Sequence, residues 1–75
     1  MPREPQQDRS RETRRRLLDA ALATLTDHGL TATTVSGVAQ RAGVSRGAAQ
    51  HHFPTRDALV EATIDEFFAE RTHQL

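Results

Sequence analysis

Apolar residues recur at intervals of three and four along most of the chain, which is the spacing of one face of an α-helix. The first series comprises Leu17, Leu18, Ala21, Leu22 and Leu25. Ser10 precedes this series as a candidate N-cap, and Gly29 follows it as a candidate left-handed cap. The pattern therefore predicts a first helix from about Ser10 to His28.

A second and a third helix are predicted on either side of a glycine turn. The second series comprises Val35, Val38, Ala39 and Ala42, and Thr34 is its candidate N-cap. Gly43 permits the positive φ of a tight turn, and Ser45 can cap a third helix that begins at Arg46. This helix must end near Phe53, because a proline follows. Two short helices joined in this way meet the requirement of a helix-turn-helix over residues 34–53.

A fourth helix is predicted after a cap at Thr55. It carries apolar residues and a threonine in paired positions four apart: Leu59, Val60, Thr63, Ile64, Phe67 and Phe68. Two adjacent phenyl rings cannot both face one small core, so at least one is expected to need a partner that this chain does not supply. The alternative is that both rings pack back on the first helix.

These elements predict an all-α fold of a single small domain. Residues 1–9, with two prolines, are expected to be a flexible arm, and residues 10–54 a three-helix, homeodomain-like helix-turn-helix domain. Residues 55–75 are expected to form a helix that connects to a C-terminal domain absent from this chain. Composition agrees, because Trp and Tyr are absent and Leu, Val and Ala must form most of the core.

The residue types narrow the possible chemistry. The chain has no cysteine, which excludes disulfides, thiolate ligands and a thiol nucleophile. No signal peptide or membrane span is evident, so a cytoplasmic protein is expected. His51 and His52 suggest a metal site, but adjacent helical residues point about 100° apart and no third ligand is placed to complete it. We expect no metal, no cofactor and no enzymatic activity.

Charge is unevenly distributed, although the formal net charge is zero. Residues 1–56 carry nine arginines and five acids, whereas residues 57–75 carry one arginine and five acids, so the balance is +4 before residue 57 and −4 after it. The basic end could face phosphates. The run Arg14 to Arg16 could flank a nucleic-acid backbone, pair with Asp19, or be a solvated surface. The exclusive use of arginine could equally reflect a GC-rich genome.

The segment from His28 to Val60 reads HGLTATTVSGVAQRAGVSRGAAQHHFPTRDALV. Together with the preceding LLDAAL at residues 17–22, it resembles the TetR family of repressors. The resemblance covers about residues 12–70 and is carried by the glycine break, the TTV that opens helix 2, the AGVS turn and the HF that closes helix 3. Such an aligned set is far more specific than a generic helix-turn-helix.

The resemblance implies roles for individual positions in a DNA complex. Base contacts would come from Ser36, Arg46, Gly47, Ala48 and Gln50. Phosphate contacts would come from Thr34, His51, His52 and Arg56. The chemistry agrees, because arginine pairs with guanine and glutamine with adenine through two hydrogen bonds. Departures are Gln50, where tyrosine is common, Arg56, where lysine is common, and Gly37 inside helix 2.

The resemblance further implies a ligand-responsive repressor that binds an inverted-repeat operator in double-stranded DNA as a homodimer. Dimerisation and binding of a small-molecule effector would belong to the missing C-terminal domain, so this chain alone should bind no effector. The alternative is a helical module that binds another protein and reads no DNA. Salt-sensitive protection of helices 2 and 3 by DNA would separate the two.

Overall fold

The computed structural model describes the backbone of residues 5–74 and the side chains of residues 9–70. It contains four α-helices: α1 (Pro5–His28), α2 (Val35–Ala42), α3 (Arg46–His52) and α4 (Arg56–Gln74). No strand occurs among residues 5–74. The all-α, helix-turn-helix fold predicted from the sequence is therefore confirmed.

Helix α1 begins five residues earlier than the sequence pattern indicates. Its first residue is Pro5, so the prediction that Ser10 caps the helix is wrong, and residues 5–9 of the expected arm are helical. Residues 1–4 lie outside the described part of the chain. Proline suits the first helical position, because its φ is already helical and its missing N–H has no partner there in any case. The apolar pattern fails to mark this turn because Arg9 and Ser10 are exposed.

The other helix boundaries follow local rules that the sequence displays. The hydroxyls of Thr34, Ser45 and Thr55 each accept a hydrogen bond from the backbone N–H three residues on, at 3.0, 3.1 and 3.0 Å. Gly29 and Gly43 have φ angles of 86° and 70°, in the left-handed region that glycine adopts without strain. The three predicted N-caps and the two glycine turns are confirmed.

The core lies where α1 crosses the other three helices. Its buried residues are Leu17, Leu18, Ala20, Ala21, Val38, Ala39, Ala49, Phe53 and Leu59. Half-buried Val44 packs against them from the α2–α3 turn. Because most of these side chains are small, the helices approach closely and the core holds α2 and α3 through alanine and valine contacts.

Three buried threonines complete the interior without leaving a polar group unpaired. Thr24, Thr33 and Thr63 each donate their hydroxyl to the carbonyl four residues earlier, at 2.8, 2.9 and 2.7 Å. Among the described residues, no buried side-chain nitrogen or oxygen lacks a hydrogen-bond partner. The three threonines therefore avoid the cost of a buried polar group without a hydrogen-bond partner.

Helix α4 leaves an apolar surface beyond its contact with α1. The exposed fractions of Ile64, Phe67 and Phe68 are 43%, 36% and 60%, and the two phenyl rings meet edge to face with centroids 5.8 Å apart. The prediction that the two rings do not both enter the core is confirmed. No helix among the described residues has the length and apolar character that crossing a membrane requires.

Candidate nucleic-acid interface

Helix α3 has one buried face and one exposed face. Ala49 is fully buried against the core, and Phe53, which ends the helix, is buried beside α1. The opposite face presents exposed Arg46, Gln50 and His51. The core thus holds a short helix whose outer face is free to enter a groove such as the major groove of DNA, which admits one helix.

The predicted base-contacting residues of α3 lie on or beside this outer face. Arg46 and Gln50 are one helical turn apart and form no hydrogen bond or ion pair with a described residue. Gly47 is exposed, and a Cβ atom added to it would meet no atom within 4 Å. Ala48 is half-buried, and its N–H is used by the Ser45 cap. The outer face therefore offers a guanidinium, an amide and an open stretch of backbone.

The N-terminus of α2 carries the predicted contacts Thr34 and Ser36. Thr34 accepts the N–H of Gly37 through its hydroxyl and that of Val38 through its carbonyl at 2.9 Å, so the Thr34 hydroxyl proton remains available to an external acceptor. Ser36 is exposed, and no acidic residue occupies the first turn of α2. This end of the helix can therefore receive an external anion.

Gly37 is explained by its neighbour at the start of α2. A Cβ atom at this position would lie 3.0 Å from the hydroxyl oxygen of Thr34, closer than such atoms normally approach. Glycine costs about 1 kcal/mol relative to alanine inside a helix. In return it leaves the Thr34 hydroxyl in place as the cap of α2.

The two adjacent histidines differ in their surroundings. His51 is exposed, whereas His52 is half-buried, and their rings meet edge to face with centroids 5.5 Å apart. Burial lowers the pKa of His52 from its ordinary value of 6.5, and the charges of His51 and Arg14 lower it further. Among the described residues, no three His, Asp or Glu side chains are placed to hold a metal ion.

Arg56, a predicted phosphate contact, also holds a loop. Its guanidinium donates a hydrogen bond to the backbone carbonyl of Leu30 at 3.1 Å, which joins the start of α4 to the loop before α2. Arg56 and Thr34 therefore lie on adjoining segments, whereas His52 lies against α1. The remaining N–H groups of Arg56 are exposed and can bind a phosphate.

The Arg14 to Arg16 run divides into three environments. The guanidinium carbon of Arg14 lies 5.4 Å from the centre of the Phe53 ring. Arg15 binds Glu66 at 2.6 Å and Glu70 at 3.1 Å, with Asp19 at 3.5 Å. Of the described acidic residues, Arg16 pairs with Glu12 alone, at 3.5 Å. Of these contacts, helical spacing predicted the Arg15–Asp19 pair, but no local signal could reveal partners on α4.

A second ion pair missed by the sequence analysis ties α1 to α2. Arg41 donates a hydrogen bond to Asp27 at 2.8 Å, and this bond, with the positive charge, holds the pKa of the Asp27 carboxyl below its ordinary value of 3.8. The pair joins the last turns of the two helices. It helps set the position of α2, and through the turn that of α3.

Comparisons with known proteins agree with this geometry. The family model described as bacterial regulatory proteins, tetR family, matches residues 17–63. The HTH-type transcriptional regulator BetI of Paraburkholderia phymatum is 49% identical over 55 residues, which cover 72% of this chain and 28% of that protein. The HTH-type transcriptional regulator CymR of Pseudomonas putida is 39% identical over 72 residues, which cover 96% of this chain and 36% of that protein.

BetI of Cronobacter sakazakii is 45% identical over 51 residues, which cover 68% of this chain and 25% of that protein. No solved structure matches the chain. The chain thus spans between a quarter and about a third of the length of these curated relatives. Because the family model covers more than half of the chain and coincides with the helices that form the core, this chain belongs to the TetR family of bacterial regulatory proteins.

Proposed function

We propose that this chain binds double-stranded operator DNA as the DNA-binding domain of a transcriptional regulator. Helix α3 lies in the major groove, with Arg46 and Gln50 directed to base edges and Gly47 and Ala48 giving close approach. Ser36 adds a base contact from α2. Thr34, His51, His52 and Arg56 bind backbone phosphates on both sides of α3.

One observation carries the proposal: the outer face of α3 has no role in the fold. Arg46 and Gln50 make no polar contact with a described residue, while Ala49 on the opposite face is fully buried. Side chains that hydrogen-bond to base edges thus stand on a helix that the core holds by its other face. A sequence-specific reading role accounts for this arrangement.

Regulation in the proposal follows the family. Two copies bind an inverted repeat, each placing α3 in successive major grooves about 34–36 Å apart, and occupancy of the operator represses transcription. A small-molecule effector and the dimer contact belong to a region outside this chain, to which α4 connects. The cavity that the described residues form between α1 and α4 has a volume of about 20 Å³ and is too small for such an effector, whereas the larger hollows on the described surface are open depressions along α1.

The test is an amide NMR titration of the chain with a mixed-sequence DNA duplex. Shifts should cluster at residues 34–36, 46–52 and 56, and should weaken as salt is raised. A titration in which these amides stay still would overturn the proposal, because even non-specific binding places the same surface against phosphates.

A second candidate function is protein binding through α4. The observation that favours it is the exposure of Ile64 and Phe68 on that helix. In this case the amides of α4 would change with protein concentration, and DNA would have no effect on any amide. The same spectra therefore distinguish the two functions.

A further inference from the structure

An open depression lies between the first part of α1 and the end of α3. It is lined by Ser10, Arg11, Arg14 and His52 and has a volume of about 350 Å³. A second depression of about 200 Å³ adjoins it along α1 and shares Arg11 and Arg14. The second depression is lined otherwise by Arg15 and Leu18, and we call the first one, between α1 and α3, the α1 groove.

The α1 groove carries positive charge that no described residue neutralises through an ion pair. Arg15 and Arg16 have acidic partners on α4 and α1. Arg11 and Arg14, in contrast, form no ion pair with any described residue, and both are exposed to solvent. The charge of Arg14 also acts on His52, since it contributes to the lowered pKa of that ring.

The position of Arg14 is set by packing. Its guanidinium lies over the Phe53 ring, 5.4 Å from the centroid, which orients the side chain toward the groove and restricts its motion. Ser10, one helical turn before Arg14 on the same helix, supplies a hydroxyl, and His52 supplies a ring nitrogen from the end of α3. Two guanidinium groups, a hydroxyl and an imidazole around an open groove match the donor set that binds a phosphodiester.

We propose that the α1 groove binds a DNA backbone phosphate that flanks the bases contacted by α3. This inference rests on the proposed function and extends its interface from α3 to α1, because His52 belongs both to the end of α3 and to the groove wall. Arg11 and Arg14 bind the phosphate, and Ser10 donates to a remaining oxygen. The phosphate is that of the duplex rather than a free ion.

The test measures the affinity of the full chain for a fluorescein-labelled mixed-sequence duplex over a series of salt concentrations. Arg11→Gln should lower the slope of log affinity against log salt by about one, the change expected for one lost phosphate contact. Arg16→Gln is the matched control, because it removes the same charge from an exposed arginine on α1 outside the groove. Arg14→Lys, which retains the charge and leaves the fold intact, should reduce the slope less than Arg11→Gln does. Circular dichroism checks that each variant is helical.

The outcomes separate this inference from the function on which it rests. Equal slopes for Arg11→Gln and Arg16→Gln would overturn it, since a general charge effect would then explain the data. If inorganic phosphate shifts the amides of Arg11 and Arg14 while Arg11→Gln leaves the DNA slope unchanged, the groove binds a free anion and the inference is wrong. If Arg46→Ala weakens binding and Arg11→Gln does not, only this inference fails. If the unmodified chain binds no duplex, the proposed function fails as well.

Discussion

Arg15 on α1 and Glu66 on α4 face each other at 2.6 Å across the contact of the two longest helices, although 51 residues separate them in the chain. Glu70, one turn further along α4, binds the same guanidinium at 3.1 Å. The basic first half of the chain and its acidic end are therefore partly matched to each other. Part of the uneven charge serves the fold rather than a nucleic acid.

Breaking this pair should lower the stability of the chain by a small amount. Both side chains are more than a third exposed, so we expect Arg15→Gln to cost about 0.5–1 kcal/mol of unfolding free energy, with a smaller loss at high salt. Arg16→Gln, which among the described residues loses the more distant pair with Glu12, should cost less. Urea unfolding of Arg15→Gln, of Glu66→Gln and of the double mutant Arg15→Gln/Glu66→Gln measures the coupling energy, with Arg16→Gln as the control. A coupling energy of zero would contradict this role.

Enlarging Ala49 should disturb the packing of α3 against the core. Its side chain is fully buried, so Ala49→Leu forces extra methyl groups between helices that are already in contact and should cost about 1–3 kcal/mol. Ala69→Leu is the control, because Ala69 is exposed on α4. Chemical denaturation reports the difference. Equal stability of the two variants would show that the contact beneath α3 is loose.

The two glycines around the start of α3 should respond in opposite ways to alanine. Gly47→Ala meets no atom and should stabilise the helix by up to about 1 kcal/mol, yet weaken DNA binding by adding a methyl group to the face that enters the groove. Gly43→Ala should destabilise the chain by about 1–2 kcal/mol, because its φ of 70° is unfavourable for alanine. Thermal melts and anisotropy titrations measure both effects. If Gly47→Ala leaves the affinity for DNA unchanged, the backbone of Gly47 is not part of the DNA interface.

Arg46 and Arg56 should contribute to DNA binding in different ways. Arg46→Ala should reduce the preference at one base position by about 1–3 kcal/mol, because a guanidinium that pairs with a base is lost. Arg56→Ala should weaken all sequences nearly alike and flatten the salt slope. Competition binding against a library of duplexes distinguishes the two results. Equal losses on preferred and random sequences for both variants would exclude Arg46 from base reading.

Stability should fall as the pH drops below the ordinary pKa of histidine. The pKa of His52 is lowered in the fold from 6.5, so below that pH the unfolded chain binds a proton that the folded chain takes up less readily. The stability that neutral His52 contributes is fully present above about pH 6.5, and it is lost as the pH falls through the lowered pKa of His52 in the folded chain. His52→Gln should remove this part of the slope. The lowered pKa of Asp27 acts in a separate range below 3.8.

Urea midpoints between about pH 7.5 and about pH 5.5 provide the measurement, since histidine titrates in this range. If the urea midpoints of the unmodified chain and of His52→Gln change with pH in parallel, the burial of His52 does not govern the pH dependence of stability. A steeper profile for the unmodified chain is the expected result.

Local features account for most of what the sequence predicted. Thr34, Ser45 and Thr55 cap helices through hydrogen bonds to the N–H three residues further along the chain. Gly29 and Gly43 form turns because glycine adopts a positive φ without strain. Each of these features can be recognised from a few neighbouring residues. The early start of α1 at Pro5 was missed, because residues 6–10 are all polar and show no apolar periodicity. The prediction depended on an apolar pattern that begins only at Leu17.

The candidate site was predictable in position but not in its supporting contacts. Arg56 was expected to bind phosphate, yet its hydrogen bond to the Leu30 carbonyl spans 26 residues and follows from the packing of α4 beside the α1–α2 loop. The contact of Arg14 with Phe53, and the groove that it helps to form, likewise arise only when α1 and α3 meet. Side chains that are far apart in the chain acquire partners through tertiary structure.

The burial of Ala49 beneath the exposed face of α3 separates two kinds of constraint on this sequence. Folding depends on the inner alanine and on its valine neighbours, whereas Arg46 and Gln50 contribute nothing to the core. Exchange of the outer side chains therefore leaves the framework intact. Under the function proposed above, recognition preferences can change by single substitutions on this face, without passing through chains that fail to fold.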